Sequence, residues 1–540
     1  MSLNGFPSKN ENGHEVQNTA RARRWVLGVV LATVVAAPLM AQDWSMFGAD
    51  TTNTATNTSK ISTSNVGQLA VKWTVTTGGD VSARAAVVDN VAYFPDWGGN
   101  LWAVNAKTGQ VIWSHKISDY GLPAGTVSRT TPAVKGDKLY IGTQKGAWLL
   151  AIKANKGDLI WMTQLETQDP YAIVTTSPAV SGDTVYTGVA SQAEGASSYG
   201  VDLSTAVARG SVVAVSANKG DIKWKTYTVP ANYTGGGVWG SSPVVDEDRN
   251  TVYVGTGDNY SHPQAGAASS KPGVTFATCI LSDTEANCLS PDDHVDSILA
   301  LNTKTGAIRW SRRMVTWHQF YATDGSDDWN VDCLYHLAQC PTNPGPDYDF
   351  GSAPNEITYK DSHGKPHTII GAGQKSGIYY ALDPNTGTTV WQTQVGPGSA
   401  LGGMEWGSAS DGVRIYVAIA NYYGLPSSVG SAGSWSALDP ATGTILWQVA
   451  DPNGAFDIAP MSVAHGVVYA GSLSQKATAP TMVALDAATG NTLWNFVPGV
   501  SVNAGATIVK DMVYWGSGYS NLGLGTGGNN TFYAFSVGGN

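Results

Sequence analysis

Apolar residues recur at every second position in short runs throughout the chain, the periodicity of strands with one buried face. One hairpin pattern appears seven times: "AVNAKTGQVIW" (103–113), "AIKANKGDLIW" (151–161), "AVSANKGDIKW" (214–224), "ALNTKTGAIRW" (300–310), "ALDPNTGTTVW" (381–391), "ALDPATGTILW" (437–447) and "ALDAATGNTLW" (484–494). In each, an alternating apolar strand passes through a turn ending in Thr-Gly or Lys-Gly into a second strand that closes on tryptophan. Another strand pair precedes most copies, as in "PAVKGDKLYIGT" (132–143) and "PAVSGDTVYTGV" (178–189), so each unit holds four strands. Four-stranded units in series predict a propeller, because one blade cannot bury both its faces and must stack on neighbours around an axis. The flat tryptophan suits the wedge between blades. "LAVKWTV" (69–75) and "FYAFSVG" (532–538) supply two halves of an eighth blade, whose closure removes exposed sheet edges. The expected fold is an all-β, eight-bladed β-propeller over 42–540, with tryptophan-docking repeats and long loop insertions.

Successive repeat tryptophans are spaced by 48 (113 to 161), 63 (to 224), 86 (to 310), 81 (to 391), 56 (to 447) and 47 (to 494) residues. A bare blade needs about 45. The 86- and 81-residue intervals therefore carry insertions, and loops that long are usually functional. They contain all four cysteines, Cys279, Cys288, Cys333 and Cys340, for which three pairings exist. Two local bridges, Cys279–Cys288 and Cys333–Cys340, are expected, each stapling the irregular stretch 257–350. No CxxC spacing supports a zinc site.

Composition narrows the class. Only 13% of the 540 residues are charged, while Gly (63) and Trp (19) are abundant, a mix that suits a turn-rich β protein. A net charge of −10 with no basic face excludes a nucleic-acid partner. Residues 21–41, "RARRWVLGVVLATVVAAPLMA", read as a secretory signal cut near Ala41, its apolar run of roughly fourteen residues being too short to span a bilayer. The expectation is a periplasmic or secreted protein with no membrane span after cleavage.

The repeat A-x-D/N-x-x-T-G-x-x-x-W resembles that of the eight-bladed quinoprotein alcohol dehydrogenases, which bind pyrroloquinoline quinone (PQQ). "GGGVWGSSPVVD", "TGDNYS", "GPDYDFGSAP" and "EWG" are most similar to the polyvinyl alcohol dehydrogenase branch. Scaffold propellers of the outer-membrane assembly type share the repeat, so the cofactor positions discriminate. PQQ is a flat tricarboxylate with an electrophilic quinone. Its site needs a stacking floor, cations for the carboxylates, and a hard metal ion bound through oxygen.

The resemblance implies a role for each matching residue. Arg129 and Lys375 would contact the quinone oxygens, Thr175 and Ser191 the cofactor carboxylates, and Trp239 the face of the ring. Glu194 matches a metal-binding glutamate. After Thr-Gly the family carries a metal-ligating Asn; here Asp258 stands there with Asn259 next, which adds a negative charge and leaves the ligand open. Asp347 matches the catalytic base at the metal, with Pro346 replacing the family's tryptophan. Asp349 falls where some relatives carry an extra ligand associated with lanthanide use, the alternative being a turn residue. The implied cofactors are PQQ and Ca²⁺ or a lanthanide. Adjacent cysteines of the methanol dehydrogenases are replaced by "GLPAGTVSR" (121–129), and no CxxCH haem site occurs, so electrons would pass to a separate, soluble cytochrome c.

The leading reading is a PQQ-dependent dehydrogenase that oxidises a primary or secondary alcohol, with polyvinyl alcohol or another hydroxylated compound as candidate substrate. The alternatives are a cofactor-free scaffold for proteins and a carbohydrate-binding propeller that stacks sugars on tryptophan.

Overall fold

Strand pairing follows the repeat. A computed structural model describes residues 43–197, 207–231, 233–240, 242–260, 268–269, 271–279, 281–282, 288–314 and 347–539; the expected signal segment and the Cys333–Cys340 bridge lie outside them. Blade 1 runs from Ala86–Val88 to Val111–Lys116, blade 2 from Ala133–Lys135 to Leu159–Gln164 and blade 3 from Ala179–Ser181 to Ile222–Tyr227. Blade 4 spans Val244–Asp246 to Ile308–Arg313, and blade 5 Asn355–Lys360 to Thr389–Gln394. Blades 6 and 7 span Ala409–Ser410 to Ile445–Ala450 and Ser462–Ala464 to Thr492–Phe496. Each pairs its four strands in sequence order, and the eight form a β-propeller. Blade 8 is composite: Thr507–Val509, Met512–Gly516 and Thr531–Val537 take Leu69–Thr76 as their outer strand, in register from Leu69 opposite Val537 to Thr76 opposite Thr531.

The conserved-looking turn and the tryptophan turn out to be one device. Each repeat tryptophan donates its indole N–H to a backbone carbonyl of the next blade: Trp113 to Ala154 (2.8 Å), Trp224 to Thr303 (2.9 Å), Trp391 to Pro440 (3.0 Å) and Trp447 to Ala487 (3.0 Å). Trp494 to Leu69 (2.9 Å) and Trp73 to Ala106 (3.1 Å) carry the same bond through the composite blade and back to blade 1. The turn glycine of the next blade lies flat on the ring. At Gly443, φ is +72° and a Cβ would come within 2.4 Å of Trp391. Only glycine tolerates both the left-handed backbone and that approach.

A second closure was not visible in the strand pattern. Residues 44–60 circle the axis along the innermost strands, pairing with Val87 of blade 1, Val134 of blade 2, Val245 of blade 4, Glu356 of blade 5, Ser410 of blade 6, Val463 of blade 7 and Lys510 after the first strand of blade 8. Arg84, fully buried, pins this segment by donating to the Phe47 carbonyl (2.5 Å) and to the Met461 carbonyl at the entry to blade 7 (2.8 Å). Burial lowers its pKa to about 9.

Connections in an antiparallel blade alternate between its two ends. The repeat turns lie at one face of the propeller. The second-to-third-strand loops and the blade-to-blade crossings lie at the other. Both long insertions, in blade 4 and between blades 4 and 5, belong to this second face. So does the Cys279–Cys288 disulfide, which forms as expected.

Candidate active site on the loop face

Every predicted site residue falls on a connection of that second face. Asp258 and Asn259 follow Thr251–Gly255 of blade 4, Asp347 and Asp349 end the crossing from blade 4 to blade 5, and Lys375 turns between Pro366–Gly373 and Ile378–Leu382. Arg129, Thr175 and Trp239 sit on the crossings into blades 2, 3 and 4. Ser191 ends the second strand of blade 3; the side chain of Glu194, in the short helix Ala193–Ser197, lies outside the described residues.

Three carboxylates converge. Asp258, Asp347 and Asp349 each place an oxygen within 4.8 Å of the others, and all three are buried. Lys375 Nζ lies 2.9 Å from Asp347 Oδ1 and 2.9 Å from Asp349 Oδ1. Among the described residues one buried cation faces three carboxylates, an excess of negative charge that a hard, oxygen-seeking metal ion would compensate. Asp258 contributes a carboxylate oxygen to the cluster, and the adjacent, buried Asn259 donates through Nδ2 to Asp293 Oδ2 (3.1 Å). Asp347 adopts φ +60°, a left-handed conformation uncommon for a non-glycine residue and concentrated at functional sites.

Trp239 is tied to the cluster. Its Nε1 donates to Asp349 Oδ2 (2.7 Å), and Lys375 Nζ stands 5.1 Å from the ring centroid. Gly351 presses on the ring's other edge: a Cβ there would fall 2.4 Å from Trp239. Thr175 Oγ1 donates to the Trp239 carbonyl (3.0 Å), fixing the crossing that carries it. Ser191 stands apart from these groups, its hydroxyl accepting from the Ala193 N–H (3.1 Å).

The residue missed by the role assignment is Trp406. The Arg129 guanidinium lies 3.7 Å from its ring centroid, and Trp406 meets Trp239 edge-on at 5.6 Å. Like Asp347, Trp406 has positive φ, +54°. Its signal was the "EWG" segment, a tryptophan outside the repeat motif. Burial is the main influence on Arg129 and lowers its pKa; Tyr519 and Glu405 act in the opposite sense. Beside Arg129, Thr175 and Trp406 a cavity of about 30 Å³ continues toward Arg84 and Asn503.

The groups that PQQ with a metal ion needs stand here, namely flat indole faces, the cations Arg129 and Lys375 and an all-oxygen donor set, while the cavity beside them holds only about 30 Å³. A family profile described as outer membrane protein assembly factor BamB matches residues 45–197 and 374–529, more than half of the chain. The chain belongs to this PQQ-repeat propeller family, in its quinoprotein alcohol dehydrogenase branch. Within that branch it is 29% identical to a polyvinylalcohol dehydrogenase of Sphingopyxis sp., over 88% of this chain and 73% of the relative. It is 25% identical to quinohemoprotein alcohol dehydrogenase ADH-IIG of Pseudomonas putida, over 64% of this chain and 44% of that one. The solved structure of the latter superposes with a TM-score of 0.67 at 18% identity, covering 92% of this quinoprotein and 81% of that chain. A europium-containing methanol dehydrogenase gives 0.64 at 16% identity, covering 92% and 98%. These superpositions speak to the fold alone.

Proposed function

We propose that the quinoprotein is an exported alcohol dehydrogenase that oxidises a secondary or primary alcohol, polyvinyl alcohol among the candidates, and passes the electrons to a separate cytochrome c. The observation that carries this reading is the buried Asp258–Asp347–Asp349 cluster joined to Lys375 and Trp239. A protein-binding or sugar-binding propeller has no use for three buried carboxylates at its axis. PQQ supplies the two-electron acceptor, and its metal ion polarises the quinone. Trp239 would stack on the ring system with Trp406 edge-on beside it, Arg129 and Lys375 would balance its charge, and Thr175 and Ser191 would bond its carboxylates. Asp258, Asp347 and Glu194 would hold the metal, with Asp349 as an added ligand that favours a lanthanide over Ca²⁺. The charge count supports that preference, because a trivalent ion is matched by more carboxylates than Ca²⁺ needs.

Asp347 is assigned as base: its Oδ oxygens accept the proton of the substrate hydroxyl as the C–H hydride departs, leaving a carbonyl product. Lys375 Nζ stands 2.9 Å from the same carboxylate and would orient it toward the substrate hydroxyl. The test is reconstitution of metal-free protein with PQQ and either Ca²⁺ or La³⁺, followed by dye reduction with a panel of alcohols. Turnover that falls by about 10²–10⁴ in Asp347→Ala is expected of a general base. A residual rate within a few-fold of the parent would remove Asp347 from that role, and no quinone-dependent reduction with any metal would overturn the reading altogether.

A further inference from the structure

Across the loop face from the carboxylate cluster stands an aromatic wall. Trp406, Ala420, Ile458, Leu473 and Tyr519 pack into one apolar cluster, with Trp239 and Phe456 against it. Phe456 extends the cluster outward: Tyr422 meets it edge-on at 5.3 Å, and Tyr423 meets Tyr422 at 5.5 Å. Tyr422, Tyr423 and Leu425 are 40%, 61% and 45% exposed, a grouping that folding alone does not favour. The loop that displays them is held in place. Asn421, buried and at φ +46°, accepts from the Leu425 N–H (2.9 Å) and donates to the Leu425 carbonyl (2.8 Å) and the Ala432 carbonyl (3.2 Å). A continuous apolar cluster, aromatic at both ends, thus links Trp406, beside Arg129 and Trp239, to the exposed rim.

Charge decides what the rim suits. "NYYGLPSSVGSAG" (421–433) and "PNGAF" (452–456) contain no charged residue. A basic protein partner would be drawn to carboxylates, and none stands in either segment. Aromatic faces interspersed with serine hydroxyls fit a neutral carbon chain that carries hydroxyl groups. We infer that Tyr422, Tyr423 and Phe456 form an outer subsite that binds the carbon backbone of an extended, multiply hydroxylated alcohol, one of whose hydroxyls reaches Asp347. This rests on the alcohol dehydrogenase reading above and names the residues that select long substrates.

The experiment compares 2-propanol with poly(vinyl alcohol) as substrates of the reconstituted holoenzyme, and measures poly(vinyl alcohol) binding to the cofactor-free protein by calorimetry. In Tyr422→Ser/Tyr423→Ser, the ratio of kcat/KM for the polymer to that for 2-propanol should fall about tenfold or more, the worth of one or two lost aromatic contacts. Polymer binding should weaken by a similar factor, and Tyr423→Trp should restore both. An unchanged ratio together with unchanged binding would overturn the subsite. So would a variant that slows reduction of cytochrome c but not of dye, which would assign the rim to the electron acceptor. Binding by the cofactor-free protein is independent of turnover. Its loss in the variant, in a protein that oxidises no alcohol, would sink the dehydrogenase reading while keeping the rim as a polymer-binding surface.

Discussion

Lys375 is the sharpest point at which to perturb the site. Its Nζ is 2.9 Å from carboxylate oxygens of both Asp347 and Asp349, and the side chain is 7% exposed. At an effective dielectric constant of about 20, each contact is worth about 6 kcal/mol of Coulomb attraction before desolvation is subtracted. Removing one partner of a buried pair costs about 3–5 kcal/mol, because the remaining charge has no compensation. Unfolding entropy of about 2.1 cal/mol/K per residue over about 500 residues is about 1 kcal/mol/K, so Lys375→Met should lower the Tm of the metal-free protein by about 3–5 °C. Adding La³⁺ should then raise the Tm of the variant more than that of the parent, since the ion replaces the missing positive charge among three carboxylates. Thermal melts with and without La³⁺ measure both. A Tm within 1 °C of the parent, or a smaller lanthanide shift in the variant, would refute the claim that the cluster is held together by charge compensation.

Trp239→Phe keeps an aromatic face but removes the indole N–H bonded to Asp349 Oδ2. Outer partners of metal ligands are worth about 10–100-fold in affinity, so calorimetric titration with La³⁺ should show a loss in that range, and an unchanged affinity would disconnect Trp239 from the metal. Gly443→Ala forces a Cβ toward Trp391 at φ +72°. Overpacking costs about 1–3 kcal/mol and the left-handed backbone about 1–2 more, so the melting temperature should drop by about 2–5 °C. Asp457 is fully buried; burial first, and the neighbouring Asp451 second, hold its carboxyl protonated well above the usual range. With the folded pKa raised, its stabilising contribution is complete below the unfolded value of about 3.9 and disappears as pH climbs through the folded value. Asp457→Asn should therefore flatten the alkaline fall in Tm between pH 5 and 9, and parallel curves for parent and variant would exclude that carboxyl as the cause.

The repeat made most of the fold legible, because each tryptophan and each turn glycine is required by the same blade-to-blade contact. Even the composite eighth blade could be read, since "LAVKWTV" has no partner nearby in sequence and "FYAFSVG" ends its blade one strand short. The ring made by residues 44–60 could not. It uses one or two residues' backbone bonds at each of seven blades, and contacts that short leave no periodicity in the side chains. In the site, the residue types were readable but their orientation was not. Asp258 and Asn259 are adjacent in sequence, and only the backbone path of blade 4 brings the Asp258 carboxylate to Asp347 and the Asn259 Nδ2 to Asp293. Trp406 escaped assignment because its place depends on a positive φ that a sequence motif does not encode.

The composite blade also has a consequence in time. Thr76 and Thr531, paired at one end of the closing strand, are 455 positions apart in the chain. At about 5–20 residues per second of synthesis, roughly 20–90 s separate their appearance. Throughout that interval the strand Leu69–Thr76 has no partner, and residues 44–60 have few of the blades they will bind. The protein cannot mature one blade at a time from its N-terminus. The strand Leu69–Thr76 must wait unpaired, and the last strand made is the one that locks the circle.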